Sequence, residues 1–166
     1  MNAGAESASI GAECLIFVHA DTVLPLGYDS LVREALDDPT VMLGAFEFQV
    51  DRSSVRLWPT GLEVVEIFAN WRSRWYRLPY GDQTLFMRRD DWVKTLGPFP
   101  ATAMMEDFEF VREARRAAVR EGRDIVTLPA PALCSGRRWE KNGTFTVTLI
   151  NQIIVYGYTA LKAPPS

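Results

Sequence analysis

An unbroken apolar run, Cys14 to Val18, ends abruptly at a polar tip, His19-Ala-Asp-Thr22. The lack of polar alternation predicts a strand buried on both faces of a parallel sheet. In open α/β sheets, ligands meet the chain at the carboxyl ends of such strands. Asp21 at this tip is either a cap on the turn before Pro25 or a group that faces a ligand.

The rest of the pattern alternates between helical and extended periods. Met1 to Ser9 is small and weakly helical. Asp29 to Asp37 predicts a short helix with Asp29 as N-cap and Leu31, Ala35 and Leu36 on its apolar side. Val41 to Val50 predicts a strand whose second half alternates, with Phe46, Phe48 and Val50 on one face. Leu62 to Arg77 carries two stripes, one of Val65, Phe68, Arg72 and Tyr76 and one of Val64, Ile67, Trp71 and Trp75. Two apolar stripes predict a helix packed on more than one side.

Pro79-Tyr-Gly81 breaks that helix. Gln83 to Met87 then predicts a short strand, Arg88 to Asp91 a helical turn, and Gly97-Pro-Phe-Pro100 a loop. Met105 to Val119 predicts a helix with Phe108, Val111, Ala114 and Ala118 inward. Ile125 to Leu133 predicts a strand whose Pro129 and Pro131 suit a sheet edge or a bend. From Asn142 to Leu161 no residue is charged, and Asn151, Gln152 and Gly157 dilute the apolar run. That suits a helix packed on the domain or resting at a membrane surface better than one that spans it. Ala163 to Ser166 reads as a frayed end.

Length and composition narrow the class. A chain of 166 residues, 48% apolar and 23% charged, suits one globular domain. A net charge of -3 does not support a general nucleic-acid surface, though local arginines can still bind phosphate. Cys14 and Cys134 lie in apolar runs and read as reduced, buried thiols rather than a disulfide. One histidine and two cysteines do not make a structural zinc site. Met1 to Gly11 is small and acidic, unlike a signal peptide.

Three more polar clusters interrupt the pattern. Tyr80-Gly-Asp-Gln83 is a glycine turn carrying an acid and an amide; Asp82 either caps the turn or, with Gln83, meets hydroxyls. Met104-Met-Glu-Asp107 sets two carboxylates at a helix N-terminus, where the helix dipole alone favours acids. The adjoining methionines suggest partial burial, which would suit a general base. Arg137-Arg-Trp139 is either a solvated basic turn or a fork of donors for a diphosphate with an indole wall. Arg72, Arg74 and Arg77 add positive potential or snorkel along a helix face. A Gly-x-Ser-x-Gly elbow and a phosphate-cradling glycine loop are both missing. The remaining acids, glycines and arginines suit hard-metal and diphosphate chemistry with a carboxylate base.

Taken in order, Phe17-Val-His-Ala-Asp21-Thr22, Leu78-Pro-Tyr-Gly-Asp-Gln83, Phe86-Met-Arg-Arg89, Gly97-Pro-Phe-Pro100, Met105-Glu-Asp107 and Arg137-Arg-Trp139 resemble the second half of a glycosyltransferase family 2 domain of GT-A type. More narrowly, they resemble the "transferase 2" branch associated with radical-SAM and selenodomain proteins. The resemblance implies an α/β fold: a Rossmann-like, mixed but mainly parallel sheet flanked by helices, truncated at its N-terminus, with a C-terminal apolar helix. Residues 1–141 would be the C-terminal part of that domain, and 142–166 the apolar helix and tail.

The implied activity is metal-dependent, inverting, non-processive transfer of a sugar from a UDP- or GDP-sugar to an acceptor hydroxyl. His19-Ala-Asp21 falls on the family's Asp-x-Asp motif, so Asp21 would hold Mg²⁺ or Mn²⁺ and His19 would adjoin the donor. Asp107 would be the general base and Glu106 would place the acceptor or tune that base. Gly81, Asp82 and Gln83 would line the sugar pocket. Arg138 and Trp139 match the end of the Gln-x-x-Arg-Trp motif of processive synthases, whereas Ser135 stands at its Gln position and argues against polymer building. The family's opening strand-helix-strand unit, which holds the nucleotide base, has no counterpart before Cys14, which would leave a central strand with an open edge. The alternative is a non-catalytic remnant that binds a partner or touches a membrane through Asn142 to Leu161. The expected location is the cytoplasm or the cytoplasmic face of a membrane, with no nucleic-acid partner.

Overall fold

The computed structural model describes residues 1–8, 11–102 and 104–162; the expected frayed end at 163–166 lies outside the described residues. Among the described residues, five strands form one mixed sheet in the order β1-β4-β3-β5-β2. They are β1 (Cys14–Phe17), β2 (Thr22–Val23), β3 (Val41–Asp51), β4 (Leu85–Arg88) and β5 (Asp124–Ser135). β1 pairs antiparallel with β4, β4 antiparallel with β3, and β2 antiparallel with β5; β3 and β5 alone run parallel. The expectation of a mainly parallel sheet is therefore corrected.

The reason lies in β1. Leu15 and Phe17 enter one apolar cluster, while Cys14 and Ile16 pack against another on the opposite face. Both faces are covered, as the unbroken apolar run predicts. Burial on two faces, however, does not encode pairing direction. Among the described residues β1 is also an edge strand, paired on one side only.

The helices are α1 (Asn2–Glu6), α2 (Tyr28–Asp37), α3 (Leu62–Tyr76), α4 (Arg89–Asp91), α5 (Glu106–Glu121), α6 (Arg137–Asn142) and α7 (Thr144–Lys162). α5 buries Phe110, Val111, Ala114 and Ala118 against Leu15, Phe17, Leu43 and Met87. α2 buries Val32 and Leu36 against Phe46 and Phe86 on the other side. Its N-cap is Gly27, with φ 71°, so Asp29 sits in the first turn instead of capping it. α3 packs through Leu62, Val65 and Ala69 on Phe48, Val50 and Cys134. The second stripe of α3 stays in solvent: Ile67 is 66% and Trp75 75% exposed, so among the described residues the helix is packed on one side only.

Two irregularities shape the sheet. The register of β3 against β5 jumps between Phe46–Leu128 and Glu47–Pro131, looping out Pro129 and Ala130. β5 is thus an interior strand with a bulge, and Pro129 sits in the looped-out stretch where no ladder hydrogen bond is required, while Pro131 resumes the register opposite Glu47. The strand expected from Gln83 instead begins at Leu85, after a 3₁₀ turn over Gly81–Gln83. Among the described residues, no helix is long and apolar enough to cross a membrane.

At the end of the sheet away from Asp21, a buried ion cluster ties four segments together. Asp91 accepts from Arg123 Nη1 and Nη2, each at 2.7 Å, and from Arg88 Nε at 3.1 Å. Both arginines also donate to the Val41 carbonyl, and Arg88 to that of Leu36. Asp91→Ala leaves two partly buried guanidiniums without their counter-charge and should cost about 3–5 kcal/mol in urea unfolding. The exposed neighbour Asp90, paired with Lys94, should be replaceable by Ala with almost no change in the midpoint.

Candidate functional site

The antiparallel β1–β4 pairing builds the site. Phe17, the last residue of β1, faces Leu85, the first of β4. The segment leaving β1, His19 to Asp21, is thereby set beside the turn entering β4, Tyr80 to Gln83. The same end of the sheet receives the carboxyl end of β5, where Ser135 N–H donates to the Asp21 carbonyl at 3.2 Å. Cys134 Sγ donates to the Asp82 carbonyl at 3.0 Å, tying β5 to the glycine turn. Burial pushes the Cys134 thiol up to about 12, which makes it an inert strut.

Gly81 is the meeting point. Its N–H donates to Asp107 Oδ2 at 2.8 Å, and Phe108 N–H donates to Asp107 Oδ1 at 2.8 Å. A Cβ added at Gly81 would lie 2.9 Å from both Asp107 Oδ2 and His19 Nε2. The glycine is therefore needed for close approach, not for an unusual φ. Two non-glycine residues in the left-handed region flank the cluster: Thr84 (φ 54°) after the turn and Met105 (φ 65°) before Glu106. Such backbone strain gathers where surrounding structure holds a site in place.

Asp82 extends this group. Burial pushes its carboxyl up from the usual aspartate range; Arg72 and His19 oppose the shift and Asp107 adds to it. Arg72, which the sequence offered with Arg74 and Arg77 as positive potential or as a snorkelling helix face, belongs to this group. Its guanidinium stacks 3.4 Å from the Tyr80 ring centroid and donates to the Leu78 carbonyl at 3.0 Å and to Gln83 Oε1 at 3.4 Å. Burial draws it below the usual arginine range, against the pull of Tyr80, Asp82 and Asp107. Its one signal in the sequence was a charge inside an apolar helical stripe.

The remaining expected residues divide. Gln83 is fully buried: it donates to the Phe46 carbonyl at 3.1 Å and accepts from Tyr80 N–H at 3.2 Å. It braces the turn from beneath instead of lining a pocket. Glu106 is half-buried at the first turn of α5, next to Asp107. Arg138 is exposed on α6 and donates to Asn151 Oδ1 at 3.1 Å. Trp139 packs on Phe48, ring centroids 5.9 Å apart, and its buried indole nitrogen has no hydrogen-bond partner among the described residues. Together with Phe68, Trp71, Arg72, Tyr80 and Asp82, Trp139 lines a cleft of about 460 Å³ between α3 and α7.

His19 and Asp21 are exposed at the rim. Among the described residues, no three His, Cys, Asp or Glu side chains form a cage for an ion. Mg²⁺ typically takes one or two protein carboxylates and completes its shell with water and substrate phosphate. The solvent-facing Asp21 tip fits an ion shared with a diphosphate and does not fit a caged one. The chain matches no protein-family model, no curated protein and no solved structure.

Asp82 supplies a pH test. A carboxyl that holds its proton more tightly when folded than when unfolded makes stability fall as pH rises above the ordinary aspartate value of 3.8. Asp82→Asn removes that loss. The variant should melt above the parent protein at neutral pH, and its advantage should shrink to nothing as thermal melts are taken down toward 3.8.

Proposed function

We propose that this site transfers a sugar from a nucleoside diphosphate sugar to an acceptor hydroxyl, with inversion and one sugar per encounter. The observation that supports the reading best is the convergence at Gly81. His19, Asp82 and Asp107 come from three distant segments and meet around one glycine. The order of those segments is that of the family 2 domain the sequence resembles. The open edge of β1 suits the nucleotide-binding strands that the resemblance puts beside it, in a GT-A-like arrangement.

The roles follow from position. Asp107, fixed by two backbone N–H donors, is the general base: it takes the proton as the acceptor oxygen bonds to the anomeric carbon and the bond to the diphosphate oxygen breaks. A single displacement of this kind inverts the anomeric centre. Asp82 and Arg72 form the floor against which the acceptor is placed, and Glu106 adjoins the base. Asp21 would hold Mg²⁺ or Mn²⁺ together with the diphosphate, and the ion would offset charge on the leaving group. Arg138, exposed beside the cleft, would face the diphosphate if released from Asn151.

Asp107→Asn should lower transfer by about 10²–10⁴-fold while donor binding measured by calorimetry persists. Full turnover in that variant would remove the base assignment. Asp21→Ala should abolish the Mn²⁺ dependence of UDP- or GDP-sugar binding, and an unchanged dependence would contradict the metal role. A chain that binds neither donor but partitions to lipid would favour the non-catalytic alternative.

A further inference from the structure

The cleft beside the carboxylates has a character that sugar transfer alone does not explain. One wall is α3, through Val65, Phe68 and Trp71; the other is α7, through Thr148, Asn151, Gln152 and Val155, with Phe48 and Trp139 at the base. Among the described residues two charged side chains line it, Arg72 and Asp82, both at the end where Tyr80 leads to Gly81. α7 contributes none, since no residue from Asn142 to Leu161 is charged.

The polar end is largely occupied by the protein itself. Arg72 is stacked on Tyr80 and bonded to Leu78 and Gln83, and it already faces Asp82 and Asp107. An anionic acceptor would find no uncommitted cation there and would meet two carboxylates. A carbohydrate acceptor needs several hydrogen bonds per ring; the α7 wall has Thr148, Asn151 and Gln152 for this, with Asn151 Oδ1 already taken by Arg138. The rest of both walls, Val64, Val65, Phe68, Ala69, Trp71 and Val155, offers apolar area. That area continues outward: Phe68 is 62% and Trp71 46% exposed at the mouth, and the outer stripe of α7 leaves Ile153 61% and Tyr156 71% exposed.

We infer that the acceptor is a neutral amphiphilic alcohol, its hydroxyl set beside Asp82 and Asp107 and its apolar tail lying in the cleft between α3 and α7. The inference rests on the sugar-transfer reading for the chemistry and on the cleft for the acceptor class. A pocket of this volume can enclose most of such a molecule. Burying the tail would cover apolar groups that now face water, which supplies the binding energy. The hydroxyl would be the single polar group required, because the closed end presents carboxylate oxygen to accept its proton.

The test uses undecanol bearing a bromine at its far end, which quenches nearby indoles. Titration into the whole chain should quench tryptophan fluorescence saturably. Phe68→Asp, at an exposed cleft position, should weaken binding by about tenfold or more, as expected when a charge is set in an apolar contact. Val119→Asp, 77% exposed on α5 and away from the cleft, should leave binding unchanged. Decyl phosphate should bind at least about tenfold more weakly than the alcohol, a gap of about 1.4 kcal/mol, and cellobiose should not compete. Absence of saturable quenching, equal loss in both variants, tighter binding of the phosphate, or displacement by cellobiose would each overturn the inference. Transfer is then assayed separately with undecanol and with unrelated hydroxyl acceptors. Transfer only to the unrelated acceptors would overturn the acceptor class and leave sugar transfer standing. Tight cleft binding of the alcohol with no transfer to any acceptor would overturn the sugar-transfer reading and, with it, the alcohol's role as acceptor.

Discussion

The site depends on one close approach, the backbone of Gly81 against the carboxylate of Asp107 with His19 on the same side. A Cβ at that position would meet both side chains at 2.9 Å, so one or both would have to shift. The contact in turn depends on β1 and β4 running antiparallel, because only then does the end of one strand adjoin the start of the other. A parallel neighbour would have placed the His19–Asp21 tip at the opposite end from the glycine turn. Sheet direction and site chemistry are therefore one constraint in this protein.

Much of the local structure was legible in the sequence. The periods over Val41 to Val50, Leu62 to Arg77 and Met105 to Val119 gave elements that match β3, α3 and α5 closely. Two things were not legible, for physical reasons. An apolar run reports that both faces of β1 are covered, and coverage is blind to the direction of the neighbour. The stripe of Ile67, Trp71 and Trp75 implied a second packing surface for α3, yet its partner is not among the described residues. The buried Arg88–Asp91–Arg123 cluster was equally hidden, since Arg123 lies 32 residues from Asp91 and an arginine's sequence neighbours do not tell a buried one from an exposed one.

The site divides in the same way. Asp82 and Asp107 stood out as acids at a glycine turn and a helix start, and the structure brings them into one electrostatic group. Gln83 stood out for the same reason and turns inward, because the 3₁₀ turn needs its amide to close. Arg72 was obscured by the apolar stripe that carries it. Its burial against Tyr80 makes it the positive side of the cluster, in a place where a helix-surface arginine would ordinarily be solvated. Arg138 was expected to point at a diphosphate and instead holds Asn151 of α7, which links the C-terminal helix to the cleft.

The most direct test of the account is Gly81→Ala, measured for sugar transfer and for thermal unfolding on the same sample. The added methyl would press on Asp107 and His19 together, and misplacing a base by about an ångström costs about a hundredfold in rate. The account predicts a loss of that size in a variant that still unfolds cooperatively. Transfer at the parent rate in a folded Gly81→Ala protein would contradict it.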